Sequence, residues 1–468
     1  MGFTTQPAWM LLLLLLTSAL RAQTVPSVFV PVPMSRAPVQ RLAPEVKRAR
    51  PVELDYSLID SAAAAQFSRD RARSPAKALD LNLFDAVTYR AQLDQVEYAW
   101  DQETVVWSGR LAGTRRGQVL LAVTGEIISG TITTDEGKSF QIRNAHGAVH
   151  WVEEMDFSKL PRDGEPRPVF LPENPLRAPE AQADDGSLID VLVVYTSAAR
   201  QAVGGTTQMN NLIALGVAET NQGYANSGVI QRVRLVNAAE VSYTESGIIN
   251  ADLDRLTNPS DGFMDEVHAL RDAYAADVVS LWVNSGDACG LAWLMATLSS
   301  AFASQAFSVV RQDCATGYYS FGHEMGHNMG SVHNQADSPS QGVFPYSYGY
   351  QQKALVPYFR TIMAYECTGG VNCPRLNFWS SPNNAYSGIP TGVSNTDNVL
   401  SLNNTRDATA NFRQSRTAPT NPSPSEGAVG VSASPTLRWT GGGGATSHDV
   451  FFGTSSSPPF VTNTTATS

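Results

Sequence analysis

The chain has 468 residues, 43% of them hydrophobic and 16% charged, with a formal net charge of −10 at pH 7. This length predicts about two to four folding units, and the apolar content excludes a wholly disordered protein. The negative charge, which no local cluster of Lys and Arg reverses, argues against nucleic acid or an anionic membrane as a partner.

The first 22 residues have the pattern of a signal peptide. Residues 8–17 form an apolar run that is too short to span a bilayer, and the small residues Ala19 and Ala22 follow it as cleavage points. A buried helix is the alternative, since no Lys or Arg precedes the run. We predict export through residues 1–22 and a secreted mature protein without a membrane partner.

The next region, residues 23–188, changes character along its length. Residues 23–80 are rich in Pro, Ala and Arg and predict a loosely ordered leader. From about residue 81, short alternating apolar runs separated by glycines predict β-strands. Residues 159–188 are dense in proline and acidic residues and predict an exposed linker. We therefore expect a β-rich N-terminal unit that this linker tethers to the next domain.

A different pattern begins at residues 189–195 (IDVLVVY), a continuous apolar run that suits a buried strand. Helical and strand patterns then alternate, which predicts a layered α/β domain over residues 189–416. The expected helices cover residues 207–225, 249–256 and 263–274, and the expected strands cover 232–236, 277–283 and 306–310.

The C-terminal part has the pattern of a linker and a fragment of a module. Residues 417–434 begin with a Pro/Ser-rich stretch, and residues 435–468 predict strands around the Gly-rich turn 441–444. Residues 446–452 (TSHDVFF) resemble the start of a fibronectin-type or immunoglobulin-like module. Because a β-sandwich needs about 100 residues, we expect only a partial one here.

The chain has four cysteines, and all lie in one region. An even number in an exported protein favours disulfides, and four cysteines allow three connectivities. We favour Cys289–Cys314 and Cys367–Cys373, because the second pair closes a small loop that forms easily by proximity. A zinc–thiolate site is the alternative, although the C-x-x-C spacing typical of such sites does not occur.

Three of the seven histidines fall within residues 321–333 (FGHEMGHNMGSVH). On a helix His323 and His327 share one face, so both imidazoles can aim at one ion. Gly330 can adopt the positive φ that ends the helix and turns the chain, which lets His333 supply a third ligand. Three protein ligands with an open fourth position are typical of a catalytic zinc site.

The residue beside the first ligand, Glu324, completes the motif H-E-x-x-H-x-x-G-x-x-H. A carboxylate at this position can take a proton from a zinc-bound water and later pass it to the leaving amine. The five fixed positions match by chance in one such chain with a probability on the order of 10⁻⁵. Three solvent-facing histidines on a helix are the alternative.

Residues 361–365 (TIMAY) come after the third histidine. Alone, Met363 would be a core methionine, but after this zinc motif it matches a Met-turn. With GHEMGHNMGSVH and TIMAY, residues 189–415 resemble the metzincin clan, most of all the reprolysin (adamalysin)-like branch in its bacterial secreted form. The strand-rich segment before them resembles the propeptide of such enzymes.

The resemblance implies a zinc-dependent endopeptidase with an α/β (α+β) catalytic domain, a twisted mixed sheet and an active-site helix, and it places Met363 under the metal. Two positions and one segment depart from the family pattern. Asn334 stands where reprolysins often carry Asp, and residues 23–188 hold no cysteine that could keep a zymogen latent. Tyr365 stands where astacin- and serralysin-like relatives carry a Tyr that moves on and off the zinc, which implies a transition-state role; a packing role is the alternative.

Residues Gly290, Leu291 and Ala292 are the candidate substrate rim. In the family the strand bordering the cleft pairs with extended substrate, and this segment is expected to form or approach it. A core strand pinned by Cys289 is the alternative. His268 is expected to be an ordinary surface or core histidine.

These observations favour a secreted zinc endopeptidase with protein or peptide substrates. A second hypothesis is a catalytically silent metalloprotease-fold protein that binds or adheres through its terminal module. Silent copies usually lose the glutamate or a histidine, and all four are intact here. A third hypothesis is a zinc hydrolase acting on a non-peptide amide. The sequence leaves cleavage preference, calcium use and oligomeric state open.

Overall fold

The computed structural model describes residues 25–33, 42–74, 76–172, 184–414, 420–425, 428–432, 434–440, 448–453 and 460–466. The predicted signal peptide, residues 1–22, lies outside this part of the chain. Within it, no helix is both long enough and apolar enough to cross a membrane.

The N-terminal unit is a nine-stranded antiparallel sheet with one helix, α1 (Ser61–Asp70). Its strands are β1 (Phe29–Pro31), β2 (Val46–Leu54), β3 (Lys77–Phe84), β4 (Val87–Tyr98), β5 (Val105–Leu111), β6 (Gln118–Thr124), β7 (Ile127–Thr133), β8 (Ser139–His146) and β9 (Val149–Met155). They are ordered β1-β2-β9-β8-β7-β6-β5-β4-β3. The sheet curls until its ends meet, because Val28 N donates to Asp80 O (3.1 Å) and Asp80 N donates to Pro26 O (2.9 Å).

The expectation that strands begin near residue 81 is wrong, because β1, β2 and the first half of β3 precede it. In β2 (VKRARPVEL), Val52 and Leu54 are buried while Lys47 and Arg48 face solvent. The charged residues on the solvent face of this half-buried strand made the segment look polar, so its β-strand pattern was not recognised from composition. Helix α1 is also ordered, and its first turn is capped by Asp60, which accepts from Ala63 N (2.7 Å).

The region predicted to be catalytic contains a six-stranded mixed sheet, ordered β10-β14-β15-β13-β11-β12. The strands of this region are β10 (Arg167–Val169), β11 (Leu188–Thr196), β12 (Arg232–Val241), β13 (Val278–Val283), β14 (Gly290–Met295), β15 (Phe307–Arg311), β16 (Val332–Asn334), β17 (Tyr348–Gly349), β18 (Gln351–Gln352), β19 (Phe359–Arg360), β20 (Ala385–Tyr386) and β21 (Ile389–Pro390). Its helices are α2 (Ser197–Val203), α3 (Thr206–Ser227), α4 (Ile249–Thr257), α5 (Glu266–Ala273), α6 (Gln312–Ala315), α7 (Ser320–Asn328) and α8 (Asn398–Thr409).

Apolar clusters cover both faces of this sheet. Residues of α3 and α7 pack on one face, and residues of α4 and α5 pack on the other. Strand β11 is buried on both sides, which explains its continuous apolar run. Strands β12, β11, β13 and β15 are parallel, and β14 runs antiparallel to β15. The predicted α/β layering is confirmed.

The predicted linker, residues 159–188, is only partly a linker. Strand β10 lies within it and pairs in parallel with β14, with Arg167 opposite Trp293. Just before it, Gly164 N donates to Gly290 O (2.8 Å). Proline and acidic residues suggested an exposed tether, but tertiary contacts bury Asp163, which is 1% exposed.

The described part of the C-terminal region holds two antiparallel strand pairs. These are β22 (Thr420–Ser423) with β23 (Arg438–Thr440), and β24 (His448–Phe451) with β25 (Phe460–Thr464). Strand β22 lies inside the predicted linker 417–434. The Gly-rich turn 441–444 is outside the described residues.

Disulfides join Cys289 to Cys314 and Cys367 to Cys373. The first ties the loop before β14 to α6, and both of its cysteines are fully buried. It therefore fixes the start of the strand that borders the active-site helix α7. The second closes a short loop after the Met363 segment.

Candidate metal centre and active site

Helix α7 carries two of the three candidate ligands, and all nine of its residues are buried. The helix ends at Asn328, and the chain turns at Gly330, where φ is 84°. A Cβ added to Gly330 would lie 2.4 Å from Val343 Cγ1, so only glycine fits the turn. The turn leads into β16, which brings His333 back towards the helix.

The structure brings the Nε2 atoms of the three histidines together. His323 Nε2 lies 3.0 Å from His333 Nε2 and 3.1 Å from His327 Nε2. The remaining pair, His327 and His333, is separated by 3.2 Å. All three side chains are fully buried.

The opposite ring nitrogens fix which tautomer each of two histidines adopts. His323 Nδ1 lies 2.9 Å from Ile362 O, and His327 Nδ1 lies 2.7 Å from Ser331 O. A carbonyl oxygen only accepts, so each Nδ1 carries the hydrogen and each Nε2 presents a lone pair. Burial lowers the pKa of His327 to about 3, which keeps its ring neutral. Converging lone pairs without hydrogens fit a bound metal ion.

Glu324, the residue after the first candidate ligand on α7, is also fully buried. Neither of its oxygens has a hydrogen-bond partner among the described residues. Burial raises its pKa well above the usual range, and the nearby Asp163 adds to this effect. An unpaired buried carboxylate next to three ligand nitrogens is suited to accept a proton from a molecule in the site.

Met363 lies beneath helix α7, and it is fully buried. A Cβ added to Gly326 would lie 2.8 Å from Met363 Sδ and 2.8 Å from the Trp379 ring, so glycine is what permits this close packing. The backbone of the same segment orients a ligand, because Ile362 O accepts from His323 Nδ1. Sequence analysis did not identify Trp379 as part of this floor.

Tyr365 packs directly on a ligand, with its ring centroid 3.9 Å from that of His333. Its hydroxyl donates to the carbonyl oxygen of Asp163 (2.9 Å). Burial and the nearby Glu165 and Asp163 carboxylates raise its pKa, so the hydroxyl keeps its proton. Asn334, the departure from the family pattern, accepts from Tyr365 N (3.1 Å) and so fixes this residue.

The candidate rim residues begin β14. Gly290 O accepts from Gly164 N, and on its other edge β14 pairs with β15 through Gly290, Leu291 and Ala292. Residues before and within β10 therefore occupy the edge of β14 at which sequence analysis predicted that substrate binds. His268 is elsewhere, packed on Phe307 with ring centroids 5.2 Å apart.

Besides Trp379, four residues at the site escaped sequence analysis: Asp163, Glu165, Ser320 and Arg375. Glu165 Oε2 lies 3.3 Å from His333 Nδ1, and Asp163 contacts both Ser320 and Arg375. Asp163 and Glu165 belong to the segment predicted to be an exposed linker. Arg375 comes after the Met-turn in a stretch without periodicity, so no local signal pointed to it.

The fold and the site together define a metzincin-like metallopeptidase. The fold supplies a mixed sheet and a buried helix with two histidines, and the site adds a third histidine after a glycine turn and a floor that contains Met363. Residues 186–380 match a reprolysin-type family model described as metallo-peptidase family M12.

Relatives extend this likeness beyond the catalytic region. A peptidyl-Asp metalloendopeptidase of Stenotrophomonas maltophilia (strain R551-3) is 43% identical over 316 residues, which is 64% of this chain and 73% of the relative. One from Xanthomonas campestris pv. campestris is 39% identical over 357 residues, 72% of this chain and 82% of the relative. The crystal structure of metalloproteinase-II from Bacteroides fragilis aligns with a TM-score of 0.37 and 10% identity, over 57% of this chain and 87% of that one.

The chain belongs to this family of bacterial, metzincin-like metalloendopeptidases. The predicted family and enzyme class are confirmed, and the coarse expectation of peptide or protein substrates follows from the class. The comparisons lend no support to the catalytically silent alternative.

The position of the Glu324 carboxylate can be tested through Gly290. A Cβ added there would lie 2.5 Å from Glu324 Oε1 and must displace it. We expect Gly290→Ala to lower kcat/KM on a peptide by about 100-fold, because small displacements of reacting groups are costly. Metal content, measured by elemental analysis, should be unchanged. In the control Gly286→Ala the new Cβ meets its nearest atom at 3.4 Å. Equal activity of the two variants would contradict the placement.

Proposed function

We propose that this enzyme is a secreted zinc endopeptidase that cleaves peptide chains at aspartyl residues, with His323, His327 and His333 as ligands and Glu324 as general base. The observation that carries the proposal is the convergence of three Nε2 atoms within 3.0 to 3.2 Å, beside an unpaired buried carboxylate.

Zinc is the metal that this ligand set favours. Three neutral imidazoles suit borderline-soft ions such as zinc, whereas calcium and magnesium prefer oxygen ligands. Two of the rings are held through their Nδ1 atoms by backbone carbonyls of the catalytic domain, and His333 Nδ1 contacts Glu165 of the N-terminal segment. Such outer contacts set ligand orientation and basicity.

A zinc ion held by His323, His327 and His333 would supply a Lewis acid for hydrolysis of the peptide bond. Glu324 accepts the proton of the attacking water and delivers it to the leaving amine. The Tyr365 hydroxyl, which in this structure donates to the Asp163 carbonyl, is placed to donate to a carbonyl oxygen of bound substrate. The Gly290 carbonyl, which accepts from Gly164 N, can accept from a backbone N–H of an extended substrate.

Cleavage at aspartate is proposed by analogy with the relatives, which are named for peptidyl-Asp endopeptidase activity. Zinc hydrolysis of a non-peptide amide has no such support.

Residues 1–22 are proposed as the signal peptide that leads to export. Residues 417–434 are proposed as a linker interrupted by β22, and residues 435–468 as part of a β-sandwich-like module.

Residues 23–188, called the leader from here on, are proposed to be a removable propeptide. The support is that residues 160–169 run along β14 and contact the ligand His333 through Glu165, the buried Arg375 through Asp163, and β14 through Gly164. While this segment is in place, extended substrate cannot pair with the same strand. Latency then needs no cysteine, because the leader occupies the cleft.

The role of Glu324 is tested by Glu324→Gln. The amide keeps the size of the side chain but cannot accept the proton, so turnover should fall by a factor on the order of 10² or more. The three histidines are untouched, and zinc content should stay at one per chain. Turnover and metal content are to be measured on the same preparation. Near-normal turnover with zinc bound would contradict the mechanism.

Maturation is tested by sequencing the N-terminus of active enzyme from culture medium. We expect it to begin between residues 176 and 188, after the segment that fills the cleft has been cut from the catalytic domain. The unprocessed chain should be much less active. A fully active protein that begins near residue 23 would show that residues 23–188 are a permanent domain.

A further inference from the structure

The carboxylate of Asp163, a leader residue, bonds two side chains of the catalytic domain. Asp163 Oδ1 accepts from Ser320 Oγ (2.5 Å), and Asp163 Oδ2 accepts from Arg375 Nη2 (2.7 Å). The side chains of both ion-pair partners are buried, with Asp163 0% and Arg375 3% exposed. The leader thus inserts an aspartate side chain into a closed pocket of the catalytic domain.

The pocket lies next to the candidate metal centre. Ser320 begins helix α7, and Asp163 Oδ2 is 3.8 Å from Nδ1 of His323. The backbone of the same residue is held as a substrate backbone would be, since Asp163 O accepts from the Tyr365 hydroxyl. The residues on either side of Asp163 bond the start of β14. Gly164 N donates to Gly290 O, and Arg162 O accepts from the N–H of Cys289, the residue before β14.

Arg375 is fixed in this pocket independently of the leader. Its Nη1 donates to Tyr318 O (2.9 Å), and its Cζ lies 4.2 Å from the centroid of the Tyr318 ring. A nearby acidic residue of the catalytic domain, Glu366, is engaged by Arg360 and by the Tyr318 hydroxyl. When the leader departs, Arg375 keeps its contacts with Tyr318 but loses its carboxylate partner.

A substrate that covers the pocket buries the guanidinium again, and a buried charge without a partner is costly, so the pocket favours a side chain that restores the pair. An aspartate restores it and also accepts from Ser320. Asparagine or leucine of similar size leaves the guanidinium unpaired, and sites with buried polar groups reject such analogues strongly.

We propose that Arg375 and Ser320 form the pocket that recognises the substrate's aspartate side chain, and that Asp163 holds the leader in the cleft by occupying this pocket as a substrate-like residue. The inference rests on the proposed aspartate-directed cleavage and names the residues that would determine it. Arg375 is a specificity-determining residue and takes no part in the proton transfer.

The test is a selectivity ratio, kcat/KM for a peptide with one aspartate divided by that for the same peptide with asparagine. For Arg375→Gln this ratio should fall about 100-fold, because one partner of a buried charge pair is lost. Arg271→Gln is the matched control, a buried arginine that donates to the backbone carbonyls of Ala276 and Ala303 and has no bond to Asp163 or Glu366. It can lower both activities but should leave the ratio unchanged.

The outcomes separate the two levels of the proposal. If wild-type enzyme prefers the aspartate peptide and Arg375→Gln keeps that preference, the pocket is wrong and the aspartate-directed function stands. If wild-type enzyme cleaves both peptides equally, the aspartate-directed function itself is wrong. Melting curves and zinc content verify that each variant is folded and loaded.

Should Arg375→Gln fail to fold, Asp163→Asn in the full chain tests the same contact from the leader side. Loss of the charge pair should release the leader, so the unprocessed variant should cleave the aspartate peptide at least about 10-fold faster than the unprocessed wild type. The control Asp94→Asn alters a partly exposed leader carboxylate that pairs with Arg110. Unchanged activity of unprocessed Asp163→Asn would contradict the proposal.

Discussion

Three imidazole nitrogens that face one another, 3.0 to 3.2 Å apart in a fully buried space, are the constraint on which the catalytic domain depends. Lone pairs arranged in this way repel one another unless a cation neutralises them. The surrounding structure holds the rings in this state: the helix aligns two of them, the Gly330 turn returns the third, and backbone carbonyls fix the hydrogens on the far side of two rings. The floor of Met363 and Trp379 then closes the space beneath.

Groups beside the three imidazoles explain how the leader fits the catalytic domain. Residues 160–169 add a strand to the free edge of the catalytic sheet, offer a carbonyl to Tyr365 and place a carboxylate on Arg375. Each of these contacts uses a group that a peptide substrate would also use. Under the proposed function, restraint of the enzyme and recognition of its substrate use one surface, and latency needs no cysteine in residues 23–188.

Much of this could be predicted from local sequence, because some constraints are local. The i, i+4 spacing of His323 and His327 and the glycine turn follow from helix geometry, and the apolar run of β11 follows from burial on both faces. The strands within residues 25–80 were missed because β2 carries a charged outer face. Asp163 and Arg375 were missed because they are 212 positions apart and meet only in the folded chain. No pattern within either segment records a pairing of that kind.

The central claim is that the three histidines hold a zinc ion on which peptide cleavage depends. Its most direct measurement is a zinc titration of chelator-treated enzyme, following cleavage of an aspartate-containing peptide. The account predicts that activity vanishes on chelation, returns in proportion to added zinc and levels off at one equivalent per chain. Full activity in the metal-free enzyme, or a plateau reached only when a second equivalent has bound, would contradict it.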